Sequence, residues 1–140
     1  IQISIAGEFP ALRADELLLR RAFSNLIRNA VEAIDPGSGE KSIEVQGSAD
    51  GGRNPRYAHV RILDTGSGIL TRDLQRIFIP FFTTKSRGYG VGLALVQKIF
   101  VAHGGSVAVE KSDSSGTTFH CKLPLIAEPA PMESVSQSVE

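Results

Sequence analysis

Asn25 and Asn29 stand four residues apart, so on a helix their carboxamides project side by side, one turn apart. A carboxamide oxygen ligates a hard cation without adding negative charge, and its N–H groups donate to anionic oxygens. Asp64-Thr-Gly-Ser-Gly68 ends an apolar run with a carboxylate beside two glycines. That carboxylate can accept from an exocyclic amino group, and the glycines admit a flat ring against the backbone. Gly88, Gly90 and Gly92 alternate ahead of a second apolar helical stretch. Backbone N–H groups at such a helix start, with the helix dipole behind them, attract phosphate oxygens. Lys85 and Arg87 lie just upstream, placed to close over the same oxygens, and Phe78-Ile-Pro-Phe-Phe82 supplies aromatic anchors for the intervening loop. Each cluster alone has an ordinary reading: solvated amides, a tight turn, loop cations, core aromatics. In this order they are the parts needed to hold a metal ion, an adenine ring and a triphosphate.

Those residues need elements to carry them. Gln2 to Ala6 alternates as a half-buried strand does. Asp15 N-caps a long helix predicted through Ile34, where Asp35-Pro-Gly-Ser-Gly39 stops it. At about 100° per residue, Leu19, Phe23, Leu26, Ile27, Ala30, Ala33 and Ile34 form one apolar stripe. Asn25, Arg28, Asn29 and Glu32 fall on the other side. Strands are predicted at Ile43–Gly47, Tyr57–Leu63, Ser106–Val109 and Thr117–Leu123, and helices from about Thr71 to Ile77 and from Val91 to Ala102, the latter closed by Gly104-Gly105. Phe81 to Gly90 has no period and reads as a mobile loop. Strands and helices mix without strict alternation, which favours an α/β (α+β) two-layer sandwich with a mixed sheet and helices on one face.

Composition narrows the partners. A chain of 140 residues, 41% apolar and 21% charged, is one soluble globular domain. Residues 1–126 form that domain on this reading, and the Pro-, Ser- and Glu-rich stretch 127–140 is a disordered tail or linker. Fifteen basic and fifteen acidic side chains cancel, so there is no electrostatic case for nucleic acid or an anionic membrane. A single cysteine, Cys121, excludes an internal disulfide and fits a reducing, cytoplasmic compartment. His59, His103 and His120 are scattered without zinc spacing, and His103 sits where it can cap helix carbonyls. No apolar run approaches the roughly 18 residues that span a bilayer. The chain starts at Ile1 and enters a strand at once, as an excised piece of a longer polypeptide would.

Taken in order, the clusters resemble the ATP-binding catalytic domain of bacterial two-component sensor histidine kinases, within the superfamily that includes gyrase, Hsp90 and MutL. Asn25-Leu-Ile-Arg-Asn-Ala-Val-Glu-Ala33 resembles the family's N box and Asp64 to Gly68 its first glycine box. Ile77 to Lys85 resembles the F box, in wording similar to the nitrogen-regulation-like subset, and Gly88 to Leu93 the second glycine box. His103-Gly-Gly105 and Gly116-Thr-Thr-Phe119 match as well. The resemblance implies a Bergerat sandwich with a mixed, largely antiparallel sheet. It implies ATP and Mg²⁺ as cofactors, with Asn29 on the metal and Asn25 assisting at the phosphates. Asp64 would hold adenine in a pocket shaped by Gly66 and Gly68, with Thr118 close by. Lys85, Gly88, Gly90, Gly92 and Leu93 would serve the phosphate side. Tyr89 and Val91 depart from residues the family often uses, Thr or Ser and Leu, and neither change removes a required donor.

The resemblance also bears on mechanism. ATPases of the superfamily carry a Glu one helical turn before the metal-binding Asn, as a general base on water. Asn25 occupies that position here and cannot accept a proton, which favours phosphoryl transfer over hydrolysis. The family's acceptor histidine lies in an upstream dimerisation hairpin, so no residue of this chain is expected to act as phosphoacceptor. The implied partners are that hairpin domain, a second copy of the intact protein and a response-regulator receiver domain. The domain itself would touch no membrane, even as the cytoplasmic part of a membrane-bound sensor. An anti-sigma-type serine kinase and a nucleotide-free adapter of the same fold are the other readings the superfamily allows.

Overall fold

The computed structural model describes residues 1–37, 39–82 and 92–125. Its elements run β1 (Gln2–Gly7), α1 (Glu16–Ala33), β2 (Ser42–Ala49), β3 (Tyr57–Asp64), α2 (Gly92–Ala102), β4 (Ser106–Asp113) and β5 (Gly116–Pro124). The five strands form one sheet in the order β1-β2-β3-β5-β4. Only β1 and β2 run parallel; the other pairs are antiparallel. A parallel pair needs a crossover, and α1 supplies it. The expected mixed, largely antiparallel sheet is what forms.

Alternation along the strands explains why helices cover one face. Ile43, Ile62, Phe119, Cys121 and Leu123 are buried at every second position and meet Ala22, Leu26, Ala30 and Ile34 of α1 and Val96, Ile99 and Phe100 of α2. Phe23 of α1 and Phe100 of α2 meet edge to face with ring centroids 5.5 Å apart. Burial pushes the Cys121 thiol up to about 12, so it packs as an inert small side chain. Asp15 N-caps α1 as expected, its Oδ1 accepting from the Leu18 N–H at 3.0 Å. No helix among the described residues is long and apolar enough to cross a membrane.

Three elements differ from the sequence reading. Strand β1 forms where alternation places it, but all six of its residues are exposed instead of half-buried. The helix expected over Thr71–Ile77 is a 3-10 turn at Thr71–Asp73 followed by further turns. Its bonds run i to i+3, from Asp73 to Leu70, Leu74 to Thr71 and Arg76 to Asp73. So short a segment cannot offset helix nucleation, and Pro80 has no N–H to extend it. Strand β4 runs past Val109 to Asp113 because a bulge between Val109 and Lys111 absorbs the break in alternation. The loop expected at Phe81–Gly90 enters with Phe81 at φ 71. Most of that loop, residues 83–90, together with residue 91 and the tail expected from residue 127, lies outside the described residues.

The helix-free face carries a hydrogen-bonded chain. Asp50 Oδ1 is 2.5 Å from His59 Nε2, and His59 Nδ1 is 2.8 Å from His120 Nε2. The two rings are nearly parallel, at 11°, with centroids 5.0 Å apart. Two ring radii plus that nitrogen–nitrogen distance account for the separation, so the rings meet edge to edge and share one proton. Arg61 Nε donates to Glu110 Oε1 at 2.8 Å alongside, and His120 Nδ1 faces the same oxygen at 4.0 Å. Burial first, then the Arg61 and His59 charges, hold His120 below the ordinary imidazole value of 6.5, against the opposing pull of Glu110. The hydrogen bond from His59 holds Asp50 below 3.8.

Two outcomes follow for stability. As pH falls below 6.5 the unfolded chain binds a proton at His120 more readily than the folded one, so stability declines there. Asp50 adds its own loss below 3.8. Thermal melting across pH 7.5 to about 5 should show the first decline and a flatter profile in His120→Gln. Leu26→Ala, at the centre of the core, should cost about 3 kcal/mol in urea unfolding.

Candidate functional site

The residues on α1 come first. Leu26 and Ala30 are buried, while Asn25 and Asn29 are half-buried on the flank of that stripe. Arg28 and Glu32 lie exposed further round. The two amides therefore border the core instead of standing in bulk solvent. As α1 advances from Asp15 to Phe23, its partners on α2 recede from His103 to Phe100. The helices thus run antiparallel, and the C-terminal half of α1 lies toward the first turn of α2.

Asp64 ends β3 at 6% exposure. Its Oδ1 accepts from the backbone N–H groups of Gly66 at 2.8 Å and Thr117 at 3.3 Å. Bonds of this kind make a buried carboxylate tolerable in its charged, acceptor-only form. Gly66 is glycine because the turn rests on α1: a Cβ there would lie 2.6 Å from the Ala33 carbonyl oxygen. The Ser67 N–H donates to that same oxygen at 3.1 Å. Ala33 is one turn beyond Asn29, so the acid-bearing turn and the amide-bearing helix are joined at one end of the site. On the other side the Ile69 N–H donates to Ser112 Oγ at 2.8 Å, and that hydroxyl bonds Thr117 Oγ1 at 2.9 Å. The turn is clamped between α1 and the β4–β5 hairpin.

Thr118 borders the same strand ends as Asp64, but on the other face of the sheet. In the β3–β5 register Asp64 faces Thr117 and Leu63 faces Thr118, and opposed residues of an antiparallel pair share a face. Thr117, 4% exposed, is the threonine beside the carboxylate. Thr118 lies on the helix-free face, where a shallow cavity of about 290 Å³ is bordered by Glu44, Leu63, Lys111 and Thr118 and reaches the strand ends at Asp64 and Gly116. The signal was present in the chain: Phe119, Cys121 and Leu123 are apolar at odd positions, so Thr117 must share their face. Ser112 was missed for a different reason, since only the folded hairpin brings it to Thr117 and the glycine turn. A Cβ on Gly116 would lie 1.8 Å from the Asp64 carbonyl oxygen.

Of the phosphate-side candidates, Gly92 and Leu93 open α2, and Leu93 packs half-buried against the core. Among the described residues, a Cβ on Gly92 would meet no atom within 4 Å beyond its chain neighbours and its own helix. No acidic residue stands in the first turn of α2 to compete for its N–H groups. Lys85, Gly88 and Gly90 lie outside the described residues.

Gly66→Ala should strain the turn against α1 and lower stability by about 2 kcal/mol. Thr117→Val, which loses the bond to Ser112, should cost about 1 kcal/mol. Thr118→Val should stay within about 0.5 kcal/mol of the parent in the same urea titration. A larger loss at Thr118 than at Thr117 would reverse the face assignment.

Comparison with known proteins agrees with this arrangement. Residues 14–127 match the model of the histidine kinase-, DNA gyrase B- and HSP90-like ATPases. The sensor histidine kinase ZraS of Escherichia coli is 34% identical over 116 residues, covering 83% of this chain and 23% of that protein. The chain spans 16% to 24% of the length of the curated relatives it matches. The mycobacterial sensor histidine kinase MprB superposes with a TM-score of 0.74 at 28% identity, over 88% of this chain and 80% of that one. Full-length ShkA, solved in complex with AMPPNP, gives 0.74 at 29% identity, over 91% of this chain and 27% of that one. With a mixed five-stranded sheet under two helices and a buried aspartate at the first glycine turn, the chain belongs to the histidine kinase-, DNA gyrase B- and HSP90-like ATPase family, among the sensor histidine kinases.

Proposed function

We propose that this domain binds Mg·ATP and donates the γ-phosphoryl group to a histidine on a separate dimerisation and phosphoacceptor domain. The observation that carries the reading is the Asp64 carboxylate, 6% exposed and fixed by two backbone N–H groups at a glycine turn docked on α1. A carboxylate so held is an orienting acceptor for the amino group of adenine. Gly66 and Gly68 form the turn beside it, and Thr117 supports it from β5.

The triphosphate would lie between the α1 amides and the start of α2. Asn29 would hold Mg²⁺ through its carbonyl oxygen, with Asn25 donating to phosphate oxygens. The residues fit such a group: two half-buried amides on one helix flank, and a helix start with no acidic residue in its first turn. Bound Mg²⁺ would neutralise triphosphate charge and orient the γ-phosphoryl group. The N–H groups of the first turn of α2 would face the phosphates beside Gly88, Gly90 and Gly92, with Leu93 packing the turn in place and Lys85 closing over them. Positioning and charge neutralisation are most of what phosphoryl transfer asks of a protein. Asn25 cannot take a proton from water, and Glu32 is exposed almost a turn beyond Asn29, so hydrolysis lacks a base and the phosphoryl group is kept for the acceptor. The intact protein would act as a homodimer and pass its phosphate to an aspartate of a response-regulator receiver domain.

Calorimetric titration should show saturable ATP binding that depends on Mg²⁺, weakened about tenfold or more in Asp64→Asn. With labelled ATP the isolated domain should gain no stable phosphate, and a histidine hairpin supplied in trans should gain acid-labile phosphate. Stable label on the isolated domain would overturn the division of labour. Acid-stable phosphoserine on a partner would mark a serine kinase, and a folded domain that takes no nucleotide would be an adapter.

A further inference from the structure

His103 lies at the end of α2 and touches α1. Its Nδ1 is 2.9 Å from the Ile99 carbonyl oxygen, one turn back. Its Nε2 is 3.0 Å from the backbone nitrogen of Asp15. A carbonyl oxygen only accepts and a backbone N–H only donates, so Nδ1 carries the proton and Nε2 is the acceptor. The two partners thus select a neutral ring and one tautomer. Asp15 is the N-cap of α1, and its own N–H has no partner within that helix. His103 supplies it from another element.

The corner that carries His103 cannot drift. Gly104, at φ +78, turns the chain, and the N–H groups of Gly104 and Gly105 return to the Val101 and Phe100 carbonyls at 2.9 and 2.8 Å. A Cβ on Gly105 would lie 1.9 Å from the Lys122 carbonyl oxygen, so the backbone is pressed against β5. From this fixed corner the imidazole reaches out to α1. Helix α1 is therefore tied at both ends, to His103 at Asp15 and to the glycine turn at Ala33. Core packing holds the helix on the sheet, and the two ties fix its direction at either end.

We infer that His103 is a positioning residue for the nucleotide site: it sets the angle of α1 against α2, and with it the gap between the Asn25 and Asn29 amides and the first turn of α2. At 1.5 Å per residue Asn29 and Asn25 lie about 6 and about 12 Å from the Ala33 tie, so a rotation about that tie on release at Asp15 displaces both amides. Asp64 is carried by β3 and held by Gly66 and Thr117, so the adenine end does not depend on this tie. The inference rests on the Mg·ATP reading above and adds a residue that touches neither nucleotide nor metal.

Two substitutions separate the bonds of the ring. The amide nitrogen of Asn reproduces Nδ1 and keeps the Ile99 bond but cannot reach Asp15. The amide oxygen of Gln reaches the Nε2 position and accepts from Asp15 but gives up the Ile99 bond. The domain and both variants are titrated with Mg·ATP and with adenosine, after melting curves establish a temperature at which all are folded. His103→Asn should lose about five-fold in Mg·ATP affinity, the worth of one net hydrogen bond, with adenosine affinity unchanged. His103→Gln should keep both affinities. Exchange of the Asp15 amide should quicken in the Asn variant only. Equal behaviour of Asn and Gln, or Mg·ATP and adenosine affinities falling in proportion, would overturn the inference while leaving the nucleotide reading intact. A parent domain that takes neither ligand would sink both.

Discussion

Backbone rests directly on backbone where the first glycine turn meets helix α1, and the site depends on that contact. The Ala33 carbonyl would stand 2.6 Å from a Cβ on Gly66 and accepts from the Ser67 N–H. A second contact of the same kind, Gly116 against the Asp64 carbonyl, closes the other side. A side chain at Gly66 would push the turn off α1, and one at Gly116 would part β5 from the end of β3; either would leave the Asp64 carboxylate in water. With glycine in both, the carboxylate is buried and takes its N–H partners from Gly66 and Thr117. Excluding water is what turns an ordinary acid into an orienting group, because its hydrogen bonds then act in a medium of low dielectric.

Helix α1 carries this constraint to the rest of the molecule. Its apolar stripe packs on the sheet, its flank presents the two amides, and its ends are tied to the glycine turn and to His103. The helices cover only one face of the sheet. The opposite face holds the Asp50–His59–His120 chain and the Arg61–Glu110 pair. These polar groups bond one another across β3, β4, β5 and the loop before β3.

Much of this was legible along the chain. The α1 stripe, its Asp15 cap, the Gly104-Gly105 stop and strands β2, β3 and β5 follow from periodicity and turn chemistry, to within a few residues at their ends. The failures share a cause. The bulge that lengthens β4 and the turns that replace a helix at Thr71–Ile77 depend on bonds that local propensity does not contain. The face of Thr117 was legible too, since strand alternation counted back from Phe119 puts it on the helix-facing side with Asp64.

The sequence by itself determined which residues could do chemistry, because carboxamides, an acid and glycines have fixed donor, acceptor and steric capacities wherever they stand. It also determined the layering, since apolar periods of two and of 3.6 residues leave few ways to bury both sheet and helices. Only the tertiary structure decided which of those residues meet. The Gly66–Ala33 contact, the partnership of Asp64 with Thr117 and the tie from His103 to Asp15 join residues from 33 to 88 positions apart along the chain. Such pairings come from packing two helices on one sheet, and no local pattern encodes the distance between elements that touch only once the core has closed.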